Sequence, residues 1–284
     1  MSLKYFPLDR TTVQLEGDDR VSFLTNFCTA DIKQLQPGQI TEAFILNEKG
    51  KLVAHLLVLC HSDSIELNTV AGQGEAIIAH LDRYLIREDV TMSDISTERN
   101  HLFVFGDEFD SAGLPEFNQF SEDEIQIAHC EAAGAGMLCS AATENQLTEW
   151  ADRLSATAVD ENVLHLHRVQ AGTPWYGVDS SSQNLPQELE RDAKAISFTK
   201  GCYLGQETVA RIDALGRVNK LMVRIQSSQA INSGETLELD GKQVGTISSV
   251  ANDGSNWFGL AIVKRAAAKT GTVLNTDSVE ATVI

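Results

Sequence analysis

An α+β fold with a small antiparallel β-barrel at its carboxy-terminal end is what this chain predicts, on three observations. Strand and helix patterns come in groups without regular strand–helix–strand alternation, which argues against a parallel doubly wound sheet. Two stretches of the first 211 residues show the same order of elements, strands closed by a helix, so the body is expected to hold two related subdomains. After about Lys220 the pattern is of strands alone. The expected division is therefore a body over 1–211 and a barrel over 212–284.

The elements follow in order. Val13 and Leu15 alternate with polar neighbours as in a short strand, and Gly17-Asp18-Asp19 then starts a helix carrying Val21, Leu24, Phe27 and Cys28 on one face. Extended runs at Ala43 to Asn47 and Leu52 to Cys60 flank Glu48-Lys49-Gly50, which predicts a hairpin. A strand at Ser64 to Val70 precedes Ile77, Ile78, Leu81 and Leu85 at helical spacing. The second unit has strands near Leu102 to Phe105, Ile125 to Cys130 and Gly136 to Ser140. Thr143 and Gln146 then form a capping box before the stripe Leu147, Trp150, Leu154. Asp160 caps a further helix with Val163, Leu164 and His167. In the barrel, Leu221, Val223 and Ile225 alternate, and Asp240-Gly241 turns between Leu237–Leu239 and Val244–Val250. Gly259 to Val263 and Val279 to Ile284 supply further strands.

The 284 residues suffice for two or three domains of ~100–150 residues each. The longest apolar stretch, Leu52 to Cys60, is broken by His55 and far shorter than the ~20 residues of a membrane span. With no basic start and apolar block at Met1 to Arg10, a cytoplasmic protein without a membrane partner is expected. Five cysteines, odd in number and without a Cys-x-x-Cys pair, indicate neither a disulfide framework nor a metal site. A net charge of −18 argues against direct nucleic-acid binding, which rests on clustered Lys and Arg. Between Arg191 and Arg224, however, seven basic residues stand against three acidic ones. That stretch reads either as an electropositive mouth for an anionic ligand or as a solvated face.

The densest chemistry lies in Lys200-Gly201-Cys202-Tyr203-Leu204-Gly205-Gln206-Glu207. Two glycines let the backbone take positive φ or approach a bound group. Lys200 beside Cys202 is the kind of neighbour that lowers a thiol pKa, so an exposed thiol more acidic than about 8.5 is expected there. Cys28, Cys60, Cys130 and Cys139 fall in strand or helix patterns and read as small core hydrophobes.

With its surroundings, Phe198 to Arg211, this run resembles the signature of the YgfZ family, folate-binding proteins related to the T-protein (aminomethyltransferase) of the glycine cleavage system. Leu15 to Arg20, Phe23-Leu24, Asp31, Gly38, Leu46-Asn47 and Gly50 resemble the amino-terminal pattern shared by both. Arg168, Ala171-Gly172, Tyr176-Gly177, Asp179 and Pro186-Gln187-Glu188 resemble the middle block, whose residues in the family line the folate pocket. The resemblance implies a body of two interleaved subdomains closed into a three-lobed ring by the barrel. It also implies tetrahydrofolate or a one-carbon derivative as ligand. Glu188 then matches a pterin-binding carboxylate, Tyr176 a stacking aromatic, or else ordinary packing, and Arg168 a carboxylate-holding guanidinium. Lys200 and Arg211 are further binding candidates from the signature.

Two departures separate the chain from T-protein. Ala54-His55 stands where T-proteins carry paired aspartates, and Gln170 replaces a glutamate. His55 in an apolar strand reads as a core residue or as a substitute proton carrier. Cys202, by contrast, is a YgfZ feature and the candidate catalytic residue. The resemblance implies an accessory protein supporting assembly or repair of iron-sulfur client enzymes and, through them, tRNA modification. The alternatives are a tetrahydrofolate-dependent aminomethyl or methyl transferase using His55 or Glu207, and a folate carrier with a redox-sensing thiol.

Overall fold

The computed structural model describes residues 3–106, 125–276 and 278–284. The chain opens with β1 (Lys4–Pro7), β2 (Arg10–Glu16), α1 (Arg20–Thr25), β3 (Ile40–Leu46), β4 (Leu52–Cys60), β5 (Ser64–Val70), α2 (Gly74–Asp82) and β6 (Thr91–Asp94). It continues with β7 (Asn100–Phe105), β8 (Gln126–Cys130), β9 (Gly136–Ala141), α3 (Glu144–Arg153), β10 (Thr157–Ala158), α4 (Glu161–Ala171), α5 (Asp192–Ala195) and α6 (Gln206–Leu215). The strands β11 (Lys220–Ser227), β12 (Thr236–Leu239), β13 (Lys242–Asn252), β14 (Trp257–Lys264), β15 (Val273–Asn275) and β16 (Glu280–Val283) complete it. The boundary expected at 211/212 falls inside α6, and the first barrel strand begins at Lys220.

Two five-stranded sheets form the body, β3-β4-β5-β2-β6 and β10-β1-β7-β9-β8. The subdomains interleave, because β1 leaves the amino-terminal unit to pair with β7 and β10 of the second. Each sheet packs one face on its own helices. Val13, Leu15, Ala54, Leu56, Ile65 and Leu67 meet α1 and α2, while Leu102, Val104 and Cys139 meet α3. The other faces share a core in which Leu57 and Leu59 of β4 meet Phe103, Phe105 and Leu138. β4 is thus buried on both sides, which is why it reads as a near-continuous apolar run. The α3 capping box and the Asp160 cap of α4 form as the sequence predicts.

The carboxy-terminal strands close into a barrel of order β11-β14-β13-β12-β15-β16 around Ile225, Ile231, Leu237, Ile247 and Leu274. A junction core of Phe44, Leu46, Leu52, Leu189, Ile196, Tyr203, Val209 and Met222 joins β3 and β4, the 3-10 turn Pro186–Leu189, the cysteine loop and the barrel. Apolar burial of this kind stabilises by roughly 25 cal/mol per Å², so the three lobes meet over a real core and not over a polar seam.

Candidate functional site

On the face of the first sheet turned toward the second, Phe44 pairs with His55 and Val70 with Arg10. Leu57 pairs with Asn68 in between. Strand alternation therefore sets His55 and Arg10 on one face, two strands apart. The same alternation turns Ala54, fully buried, into the opposite core. Of Ala54 and His55, only His55 faces the cleft. Residues 173–176, leaving α4, form the facing wall with Glu131 and Ala132. The cleft lined by Arg10, Glu42, His55, Val70, Trp175 and Tyr176 narrows to about 20 Å³, room for about one water, so a ring enters only if the wall yields.

His55 is not free in this cleft. Its Nε2 lies 2.7 Å from Glu42 Oε1, and Arg191 donates to both oxygens of Glu42, Nε at 2.8 Å. Arg191 Nη1 also reaches Glu131 Oε2 at 2.7 Å, and Lys194 pairs with the other oxygen of Glu131. Burial alone would raise the Glu42 pKa, but the hydrogen bonds and charges of Arg191 and His55 outweigh it and hold the carboxyl at about 2. The network joins β3, β4, the 131–132 segment and α5, so it ties both sheets to the segment that carries α5. Two members of the expected basic cluster, Arg191 and Lys194, are consumed here. Arg224 donates to Gln170 O at 2.7 Å, and Arg211 is exposed on α6. The expected electropositive mouth is thus dispersed.

Arg168 is fully buried, and the carboxylate it holds is Asp179, at 2.5 Å, not a ligand's. Its Nη2 donates to Ser249 Oγ at 2.7 Å, and Ser248 and Ser249 both donate to Asp179 Oδ1 at 2.6 Å. The guanidinium also lies 4.4 Å beneath the Trp175 ring. Arg168 therefore acts through Trp175, fixing the aromatic wall against β13. Tyr176, half-buried beside it in the cleft, has its hydroxyl pKa raised by burial. Its hydroxyl makes no hydrogen bond among the described residues. Glu188 lines no part of the cleft: Oε2 accepts from Asn184 Nδ2 at 2.9 Å and Leu185 N at 3.3 Å. It closes the 184–188 turn.

The cysteine loop packs elsewhere. Gly205, at φ +82°, lies so close to the β3–β4 hairpin that a Cβ would come 2.7 Å from Asn47 O and 3.0 Å from Gly50 Cα. The Leu46-Asn47…Gly50 and Gly201…Gly205 motifs thus dock on each other, a close backbone approach that only glycine allows. Gln206 and Glu207, read as loop, begin α6 instead. Cys202 is exposed, whereas the other four cysteines are buried. Lys200 does not serve Cys202, because its Nζ is bonded to the carbonyl oxygens of Thr25, Cys28 and Ala30. Burial raises the Cys28 thiol to about 11 despite that ammonium.

The structure brings Tyr176 and His55 together with residues the sequence did not single out for the site: Arg10, Glu42, Glu131 and Trp175. Their signal was charge inside strand patterns, Arg10 before Val13 and Glu42 at the edge of an apolar run. A lone charge there reads equally as a solvated strand end.

Comparison with known proteins agrees with this architecture. The family model for the GCVT N-terminal domain matches residues 10–133. A tRNA-modifying protein YgfZ of Colwellia psychrerythraea is 25% identical over 82% of this chain and 74% of its own length. One of Aliivibrio fischeri strain MJ11 is 28% identical over 81% and 73%. A putative transferase of Arabidopsis thaliana, described as chloroplastic, is 25% identical over 92% of this chain, which spans 65% of that protein. Among solved structures, the glycine cleavage system aminomethyltransferase T of Bartonella henselae superposes with a TM-score of 0.84 at 19% identity, covering 99% of this chain and 85% of that one. The motif blocks, these relatives and the shared fold, two interleaved sheets with a closed barrel, support a YgfZ family assignment, and the fold itself is that of a T-protein.

Proposed function

We propose that this protein binds tetrahydrofolate or a one-carbon derivative in the cleft between its two sheets. On this reading it is an accessory protein for iron-sulfur enzymes, and through them for tRNA modification, not an aminomethyl transferase. The observation that carries the reading is His55. It occupies the cleft-facing position of the missing aspartate pair, and its Nε2 is held by Glu42, which Arg191 keeps ionised. No carboxylic acid is left free to exchange a proton with a folate nitrogen at that point, a contribution worth roughly 100- to 10,000-fold in transfer steps. What remains is recognition: the Tyr176 ring stacks on a flat heterocycle, while His55 and Glu42 meet its polar edge. Cys202, exposed on its own loop, supplies a thiol that can attack an electrophile, form a mixed disulfide or briefly ligate iron.

The same pair favours a second reading. An imidazole with one nitrogen on a carboxylate is also a general-base arrangement, so a transferase that uses His55 is the rival. Tetrahydrofolate is expected to raise the melting temperature of the wild type by mass action, and Tyr176→Ala to diminish that rise. With glycine-cleavage partners no methylene-tetrahydrofolate is expected to form. Formation that His55→Gln abolishes would establish the transferase instead. Cells lacking the protein are expected to lose iron-sulfur enzyme activity, and full activity in such cells would remove the accessory role.

A further inference from the structure

Three arginines are buried among the described residues, and two have carboxylate partners. Arg168 has Asp179, and Arg191 has Glu42 and Glu131. Arg10, only 8% exposed, has none among the described residues. Among the described residues its single hydrogen bond runs from Nε to Asn68 Oδ1 at 2.8 Å, and neither η-nitrogen has a partner there. Asn68 is itself fixed, since its Nδ2 lies 3.1 Å from Thr12 Oγ1 and 3.1 Å from His101 Nε2. Burial first, and the positive charge of Arg10 second, push His101 down to about 3, and the nearest acid acting on it, Glu66, is paired with Arg99 and His61, not with Arg10. Burial lowers Arg10 itself to about 10, still charged at neutral pH. A buried charge without a partner is costly, and proteins pair such groups almost without exception.

Arg10 lines two openings, the narrow cleft with His55 and Tyr176 and an outer groove of about 500 Å³. Asp9, Glu75, Asp94 and Glu144 rim the outer groove against Arg99, so its rim is net acidic and disfavours an anion, whereas the carboxylates of the cleft, Glu42 and Glu131, are already paired with Arg191 and Lys194. An anion reaches the guanidinium from the cleft. There, sheet register separates Arg10 from His55 by two strand spacings, about 10 Å between backbones, with Val70 between them.

We propose that Arg10 is the anion-binding end of the cleft, its η-nitrogens taking a carboxylate of the ligand whose flat ring lies over Val70 toward His55. This rests on the folate reading of the cleft and deepens it: the ligand is a ring compound with a carboxylate set apart from the ring, not a bare pterin. The planar fork of an arginine matches a carboxylate in two parallel hydrogen bonds. Fixing Nε on Asn68 sets the direction of that fork before the ligand arrives.

Calorimetric titration of the full chain with three probes tests it: tetrahydrofolate, tetrahydrobiopterin, which has the ring but no carboxylate, and p-aminobenzoylglutamate, which has carboxylates but no pterin. Arg10→Gln is expected to weaken tetrahydrofolate and p-aminobenzoylglutamate at least tenfold and to leave tetrahydrobiopterin unchanged. If tetrahydrofolate binds Arg10→Gln and Arg10→Met as it binds the wild type, the anion site is overturned while the folate reading stands. If p-aminobenzoylglutamate binds in an Arg10-dependent way and neither pterin binds, the folate reading fails and the anion site stands. Binding of none of the three removes both. The ligand-free Arg10→Met protein is expected to melt no lower than the wild type, because an uncompensated charge has been removed. A clear fall in both variants would make the guanidinium structural and overturn the proposal.

Discussion

Lys200 reaches Cys28, not Cys202. Its Nζ lies 2.8 Å from the carbonyl oxygen of Cys28 and 4.0 Å from the Cys28 sulfur, while the same ammonium bonds Thr25 O at 2.8 Å and Ala30 O at 2.7 Å. One cation thus satisfies three carbonyls at and just past the end of α1, where a helix leaves acceptors unpaired and favours positive charge. Lys200→Met is expected to lower stability by about 2 kcal/mol, as partly buried carbonyls lose charged donors. Denaturant unfolding of the variant measures it; a change within about 0.5 kcal/mol would mean that water replaces the ammonium.

Cys202 is exposed and makes no hydrogen bond among the described residues. Cys202→Ser is therefore expected to change stability by no more than about 0.5 kcal/mol and to leave tetrahydrofolate binding intact. It is expected to abolish rescue of iron-sulfur enzyme activity in cells lacking the protein. Iodoacetamide labelling read by peptide mass should modify Cys202 well ahead of Cys28, Cys60, Cys130 and Cys139. Full rescue by the serine variant would leave a folate carrier as the better reading.

Glu42→Gln is expected to cost about 3 kcal/mol at neutral pH, because it strips Arg191 of one of two carboxylates in a buried network. Glu42 titrates at about 2 in the folded chain, below its ordinary value of 4.5. The stability it contributes is present above pH 4.5 and is lost as pH falls toward 2. The gap between wild type and variant is thus expected to close in acid. A gap that stays constant from pH 7 to pH 3 would mean that packing, not ionisation, sets the cost.

Asp192 has the opposite sign. Burial, with Glu190 and Asp213 nearby, raises its carboxyl from 3.8 to about 6, and its Oδ1 is buried without a partner. The penalty is absent below about pH 4, grows as pH rises through 6 and is complete above it. Asp192→Asn is expected to stabilise by about 1 kcal/mol at pH 7.5, after allowance for solvent screening of a half-exposed group. At pH 4 it should have no effect. Thermal melts at the two pH values distinguish this from a general packing gain, which would appear at both.

Local pattern was enough for most elements. The alternation of Leu221, Val223 and Ile225 placed β11, and the Thr143–Gln146 box placed the start of α3, because both depend on neighbours within a few residues. Short elements escaped. The strands β1, β6, β10 and β15 are at most four residues long and exist because a neighbouring strand offers unpaired groups, which no window of sequence records. The start of α6 was hidden by the glycines before it.

The sequence by itself determined the fold class and the residues that carry the motifs of the resemblance, including the one thiol left exposed. Only the tertiary structure decided what those residues touch. Arg168 holds Asp179 and Lys200 holds the end of α1, where their spacing had suggested a ligand and a thiol. Arg10, Glu42 and Glu131 line one cleft from positions far apart in the chain, and Arg191 ties Glu42 to Glu131 beside it. The reason is physical: strand and helix patterns are set by local backbone periodicity. The partner of a charge is set by which groups burial brings within about 3 Å, and that is a property of the assembled lobes.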